Sequence, residues 1–166
     1  MLYLGNHPLN SSSSSVTGDY VVRNGESFYR IANVDGMDDF FISVVSDSNH
    51  WMFISTRGGL AAGRTDCDSA LFPYYTEDKI QDNSGNTGSR TIVIAEQDGK
   101  RKLWEPFSRS HAGIYNITRN LYKNVLGDKL IFEELNHDLG LQFTYSWSTS
   151  DRFGFVKQAS IAALGE

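Results

Sequence analysis

The residues with chemistry to offer gather between Asn49 and Asp82, in NHWMFISTRGGLAAGRTDCDSALFPYYTEDKIQD. The stretch opens as a strand, with Trp51, Phe53 and Ser55 on one side and Met52, Ile54 and Thr56 on the other, and it breaks at Gly58-Gly59. A long excursion follows, holding Arg64, Asp66, Asp68, Glu77 and Asp78 together with Cys67 and the pair Tyr74-Tyr75. Such an excursion in a small domain is where a site is expected first. Gly58 to Thr65 departs by one residue from the phosphate-loop pattern, with Arg64 where Lys is required. That loop works at the start of a helix, and Asp66 to Pro73 is too short and too Pro-interrupted to form one, so a nucleotide site is rejected. Cys67 lies between two acids with no His or Lys beside it to stabilise a thiolate, which argues against a nucleophile. Arg–Asp pairs within a loop are more often a structural clamp than a functional set, and the functional alternative is contact with a saccharide, with Tyr74-Tyr75 stacking on the apolar face of a sugar ring. Arg57, Arg64, Asp66, Tyr74, Tyr75 and Asp78 are the candidate residues. The same Arg and Asp side chains also suit a structural clamp that satisfies buried backbone, and both roles stay open.

Other polar groupings are weaker. Glycoside hydrolysis uses two carboxyl groups about 5 to 10 Å apart, and Glu133-Glu134 is the obvious pair. Neighbours in a strand face opposite sides of a sheet, so these two cannot share a substrate, and one is expected on a solvated face. His7, His50, His111 and His137 are scattered, and Asp82 to Asn86 does not fit a calcium loop, so neither a metal nor a cofactor is expected. His50 and His137 read as hydrogen-bonded structural residues.

The elements that position these groups read as strands. Asn24-Gly25 is a hairpin turn, and Gln97-Asp98-Gly99 is a three-residue hairpin loop between Arg90–Glu96 and Lys100–Glu105. Leu141, Phe143, Tyr145 and Trp147 alternate with Gln142, Thr144, Ser146 and Ser148, which buries one face and assigns Trp147 to the core. No segment carries an apolar stripe at helical spacing, and the one helical turn expected lies around Asp68 to Phe72. About ten strands at spacings of about 8 to 14 residues define an all-β, antiparallel β-sandwich. Residues 1–18, with Ser11 to Ser15, form a lead-in that is either flexible or a strand followed by a polar loop, and residues 19–166 form one domain.

Composition narrows the partners. The 166 residues carry a net charge of -5 without a basic run, which excludes a nucleic-acid backbone as partner, and no apolar run approaches the roughly 18 residues of a membrane span. A single cysteine and the lack of a visible signal peptide favour a cytoplasmic location.

The run STRGGLAAGRTDCDSALFPYYTEDKIQD, followed by FEELNHDLGLQFTYSWSTSDRFGFVKQASI, resembles the N-terminal region of large bacterial glycoside hydrolases and phosphorylases of the cellobiose-phosphorylase type. The likeness spans roughly residues 18 to 162 and rests on local phrasing and strand order. It implies a galactose-mutarotase-like supersandwich that precedes an (α/α)6 catalytic barrel, with this chain as the first part of a longer polypeptide. The family's catalytic groups lie in the barrel, so no catalytic residue carries over. The resemblance thus implies a non-catalytic β-sandwich module that packs on the barrel and contacts carbohydrate, with exposed sheet edges that a homo-oligomer would cover. A free-standing carbohydrate-binding module is the alternative. A small sugar-epimerase-like enzyme is the third reading, and it would need His50 or His137 to face an acid across a pocket.

Overall fold

In a computed structural model the chain is built from antiparallel strands; the structure describes residues 2–10, 14–72, 79–80, 87–88 and 90–165. In chain order these are β1 (Leu2–Leu4), β2 (His7–Leu9), β3 (Thr17–Arg23), β4 (Glu26–Ala32), β5 (Phe41–Val44), β6 (His50–Ser55) and β7 (Leu60–Arg64). They continue with β8 (Val93–Gln97), β9 (Lys100–Trp104), β10 (Ile117–Asn124), β11 (Lys129–Asn136), β12 (Leu141–Ser150) and β13 (Gly154–Ala163). Short 3-10 turns at Val34–Gly36 and Cys67–Ser69 interrupt them, the second overlapping the start of the stretch expected to make a helical turn. Among the described residues no helix is long and apolar enough to cross a membrane.

Turn chemistry fixes the register. Asn24 and Gly25 have φ of 51° and 80°, and Asp98 and Gly99 have 53° and 70°, the left-handed backbone that two-residue hairpin turns require. Gln97 pairs with Lys100, so the second loop holds two residues, not the three expected, because Gln97 continues the ladder of β8.

Two sheets face each other. The larger has the order β13-β12-β11-β10-β4-β3, the smaller β5-β6-β7, and β1-β2 and β8-β9 are separate hairpins. Leu121 lies opposite Phe132, and Phe132 opposite Tyr145, so the inward residues of β10, β11 and β12 form a row. The Phe132 and Tyr145 rings stack at 4.6 Å and 8°. Ile42, Val44, Met52, Ile54, Leu60 and Ala62 of the smaller sheet close on this row, joined by Trp104 from β9. Each large apolar side chain buried this way contributes about 1.5 to 3 kcal/mol. The alternation of Leu141, Phe143, Tyr145 and Trp147 faces this core as expected, with Trp147 at its rim. At the β3 edge of the larger sheet Tyr20 and Val22 are exposed.

The structure corrects the reading of the long excursion. Leu60–Arg64 is a strand that pairs with β6 from Ile54↔Leu60 to His50↔Arg64. Leu60 to Gly63 are all buried, so neither face shows the alternation that marks a strand in sequence. The lead-in is also more regular than its serines indicate: β1 and β2 form a hairpin, and β3 begins at Thr17.

Candidate functional site

The structure separates the residues picked from the sequence. Arg57 sits in the turn between β6 and β7, where its Nε donates to Asp39, and the Thr56 hydroxyl donates to the same oxygen at 3.3 Å. Its clamp is therefore an acid outside its own loop. Arg64 lies at the far end of β7, exposed, roughly 15 Å of extended chain away. The Asp66 carboxylate accepts the Ser69 N–H at 3.0 Å and caps the turn at Cys67–Ser69, while the Asp66 carbonyl accepts from the Trp51 indole at 3.0 Å. Asp66 thus has a structural role, and Arg57 and Arg64 lie at opposite ends of β7 and line different hollows. Tyr74, Tyr75 and Asp78 lie outside the described residues.

The glycines of this segment serve close packing. A Cβ on Gly59 would stand 2.2 Å from the Ile80 carbonyl oxygen, and one on Gly63 would stand 2.4 Å from the Trp51 ring. Backbone and indole occupy the space that a phosphate loop would leave open, consistent with the strand found there.

Arg57 and Arg64 do have a common neighbour, because each lines a hollow to which Trp147 also contributes. On the Arg57 side the hollow measures about 170 Å³, and its wall includes Arg90, Arg109, Tyr145 and Lys157. On the Arg64 side an open hollow of about 540 Å³ is walled by His50, Phe72, Phe153 and Phe155, with Asp151 and Arg152 at its margin. Strand pairing brings Trp147 opposite Lys157, whose Nζ lies 4.6 Å from the Tyr145 ring centre and 5.8 Å from that of Trp147. Burial lowers the Lys157 pKa and pushes the Tyr145 phenol well above its usual range. The His50 Nδ1 shares a hydrogen bond with Ser48 at 3.1 Å, and His137 Nε2 one with Thr118 at 2.9 Å, so both are structurally engaged as expected. Among the described residues no group of three His, Cys, Asp or Glu side chains is placed to hold a metal ion.

Sequence reasoning missed Lys157 and Arg109. A signal for Lys157 was present: it shares its strand face with Phe155, a charge among apolar inward positions. Its value shows only once the β12–β13 register is known. Arg109 follows Pro106 in a connector without periodicity and left no comparable mark.

Glu133 and Glu134 overturn a second expectation, since neither lies on a solvated face; they are 6% and 1% exposed. Glu133 accepts from Arg23 at 3.1 Å, Gln142 at 3.0 Å, Asn120 at 2.8 Å and the Tyr122 hydroxyl at 2.5 Å. Burial first, and then this bond to a carboxylate, push the Tyr122 pKa up to about 12. Glu134, on the core side, accepts from the Trp104 indole at 2.7 Å, the Phe107 N–H at 2.6 Å and Arg119 Nε at 2.7 Å. Donors from β3, β9, β10, β12 and the connector after β9 occupy the lone pairs that general acid–base chemistry would use.

Fold and site together define an all-β sandwich protein with an aromatic and cationic double hollow at one rim of its core. Compared with protein-family models and with curated protein sequences, the chain matches none.

Proposed function

We propose that this chain is a β-sandwich module of a carbohydrate-active protein, non-catalytic on its own, which contacts saccharide beside Trp147 and packs against a catalytic barrel of glycoside hydrolase or phosphorylase type. The observation that carries the reading is the grouping of Trp147, Phe153 and Phe155 around one open hollow. Flat apolar side chains take the C–H face of a pyranose, and the Arg64 and Arg152 guanidinium groups at the margin can donate to its hydroxyls. Phe153 is 71% exposed, a large apolar surface that a bound ring would cover. The hydrogen-bonded state of Glu133 and Glu134 supports contact over catalysis.

Titration of the chain with a panel of mono- and oligosaccharides tests the contact. Heat of binding and a raised melting temperature are expected for at least one. Silence in both, across the panel, removes saccharide contact and leaves a packing module alone. The barrel is tested separately in the coding sequence: a downstream frame rich in amphipathic helices supports it, and a frame without them removes it.

A further inference from the structure

Among the described residues, the hollow on the Arg57 side of Trp147 holds more positive charge than acidic neighbours neutralise. Arg57 is paired with Asp39, and Arg90 Nε donates to Glu105 at 2.7 Å. Among the described residues, Arg109 and Lys157 have no acidic partner. Lys157 rests on the Tyr145 and Trp147 rings, a contact that holds the ammonium in place without cancelling its charge. Its lowered pKa has the same origin, an amine partly withdrawn from water. The chain as a whole is acidic, with a net charge of -5, so this cationic wall runs against the general balance. Charge of one sign concentrated in a concavity draws in the opposite sign.

Size decides what kind of anion fits. At about 170 Å³ the hollow is smaller than the roughly 300 Å³ at which small-molecule pockets begin, so it has room for a substituent or a compact anion. The neighbouring hollow of about 540 Å³ has room for a ring. Trp147 walls both, so one ligand crossing its edge reaches the two together.

We infer that the saccharide bound beside Trp147 is an acidic one, lying across the edge of the indole with one residue in the aromatic hollow and an anionic substituent, a uronate carboxylate or a sulfate ester, between Arg109 and Lys157. This rests on the saccharide reading above and names its ligand class. Guanidinium and ammonium donors bond to such groups more strongly than to neutral hydroxyls.

The test uses the full chain and calorimetric titration with an oligogalacturonate, the same oligosaccharide with its carboxyl groups reduced to alcohols, a sulfated oligogalactan, and inorganic sulfate. At least one anionic oligosaccharide is expected to bind about ten-fold or more tightly than the reduced one, and which one does so tells carboxylate from sulfate. Arg109→Ala, a change at an exposed side chain, and Lys157→Gln are each expected to shrink that preference several-fold, by weakening the anionic oligosaccharide more than the reduced one; a variant that weakens both forms equally overturns the placement of the anion. Equal affinity for charged and reduced forms overturns the acidic ligand and leaves saccharide contact standing. Inorganic sulfate binding as tightly as the anionic oligosaccharides, with nothing for the reduced form, overturns saccharide contact and leaves an anion site. Silence from every probe overturns both.

Discussion

Glu133 and Glu134 are consecutive in β11 and point to opposite faces of one sheet, and both are buried and paired with an arginine. Arg23 reaches Glu133 from β3, and Arg119 reaches Glu134 from β10. Arg119 also bonds the Ser108 carbonyl at 3.3 Å and pairs with Asp35 at 3.1 Å, so the inner carboxylate anchors the 105–116 connector to the core.

Glu134→Ala should therefore cost about 3 to 5 kcal/mol, because it leaves the Trp104 indole N–H and the Phe107 amide without an acceptor and the Arg119 charge with only the exposed Asp35 as acidic partner. Glu134→Gln keeps an acceptor and should cost less. Urea unfolding measures both, and an alanine variant within about 1 kcal/mol of the parent would show that the connector is held by something else.

Tyr122 sets an alkaline limit. Its folded pKa of about 12 lies above the ordinary 10, so its contribution is complete below pH 10 and is lost as pH rises through 12. The loss amounts to about 2 to 3 kcal/mol, since each tenfold change in a proton-binding equilibrium is worth about 1.4 kcal/mol. Tyr122→Phe should be weaker than the parent at neutral pH, yet lose less stability between pH 10 and 12. Parallel stability curves for the two proteins across that window would dismiss the assignment.

Arg57 and Arg64 should behave differently on truncation. Arg57→Ala breaks the Asp39 pair at a half-buried turn and should cost about 1 kcal/mol. Arg64→Ala, at an exposed strand end, should stay within about 0.5 kcal/mol of the parent. Denaturation midpoints of the two variants give the comparison, and a larger loss for Arg64 would contradict the placement of the clamp.

Gly59 and Gly99 separate crowding from backbone strain. Gly59→Ala pushes a methyl group against the Ile80 carbonyl and should cost upward of about 2 kcal/mol. Gly99→Ala meets nothing within 4 Å and should cost only about 1 kcal/mol for its φ of 70°. Melting curves should rank the variants in that order, and the reverse order would mean that the β7 register is misplaced.

The fold was legible where one physical rule acts locally. Leu141 to Trp147 alternates because β12 is buried on one face, and Asn24-Gly25 and Asp98-Gly99 turn because their residues tolerate positive φ. Leu60 to Gly63 escaped because a strand buried on both faces and made of Leu, Ala and Gly carries neither alternation nor β-branching. Arg57 and Arg64 looked like partners because sequence distance hides how far an extended strand carries its ends apart. Glu133 and Glu134 looked half solvated because their donors come from segments as far away as Arg23, and only the sheet order brings them together. The Trp147 hollows depend on the same long-range pairing, which no local pattern encodes.

The placement of the three indoles gives the chain a built-in set of optical reporters. Trp104 is 1% exposed and bonded to a carboxylate, so its emission should be blue and blind to quenchers until the core opens. Trp147 stands at the rim between two concavities, where a solute would touch it directly. Trp51 lies against Gly63 and the carbonyl of Asp66, and so watches the β6–β7 hairpin. Single-tryptophan versions would let occupancy, hairpin integrity and global melting be read as separate light signals from one polypeptide.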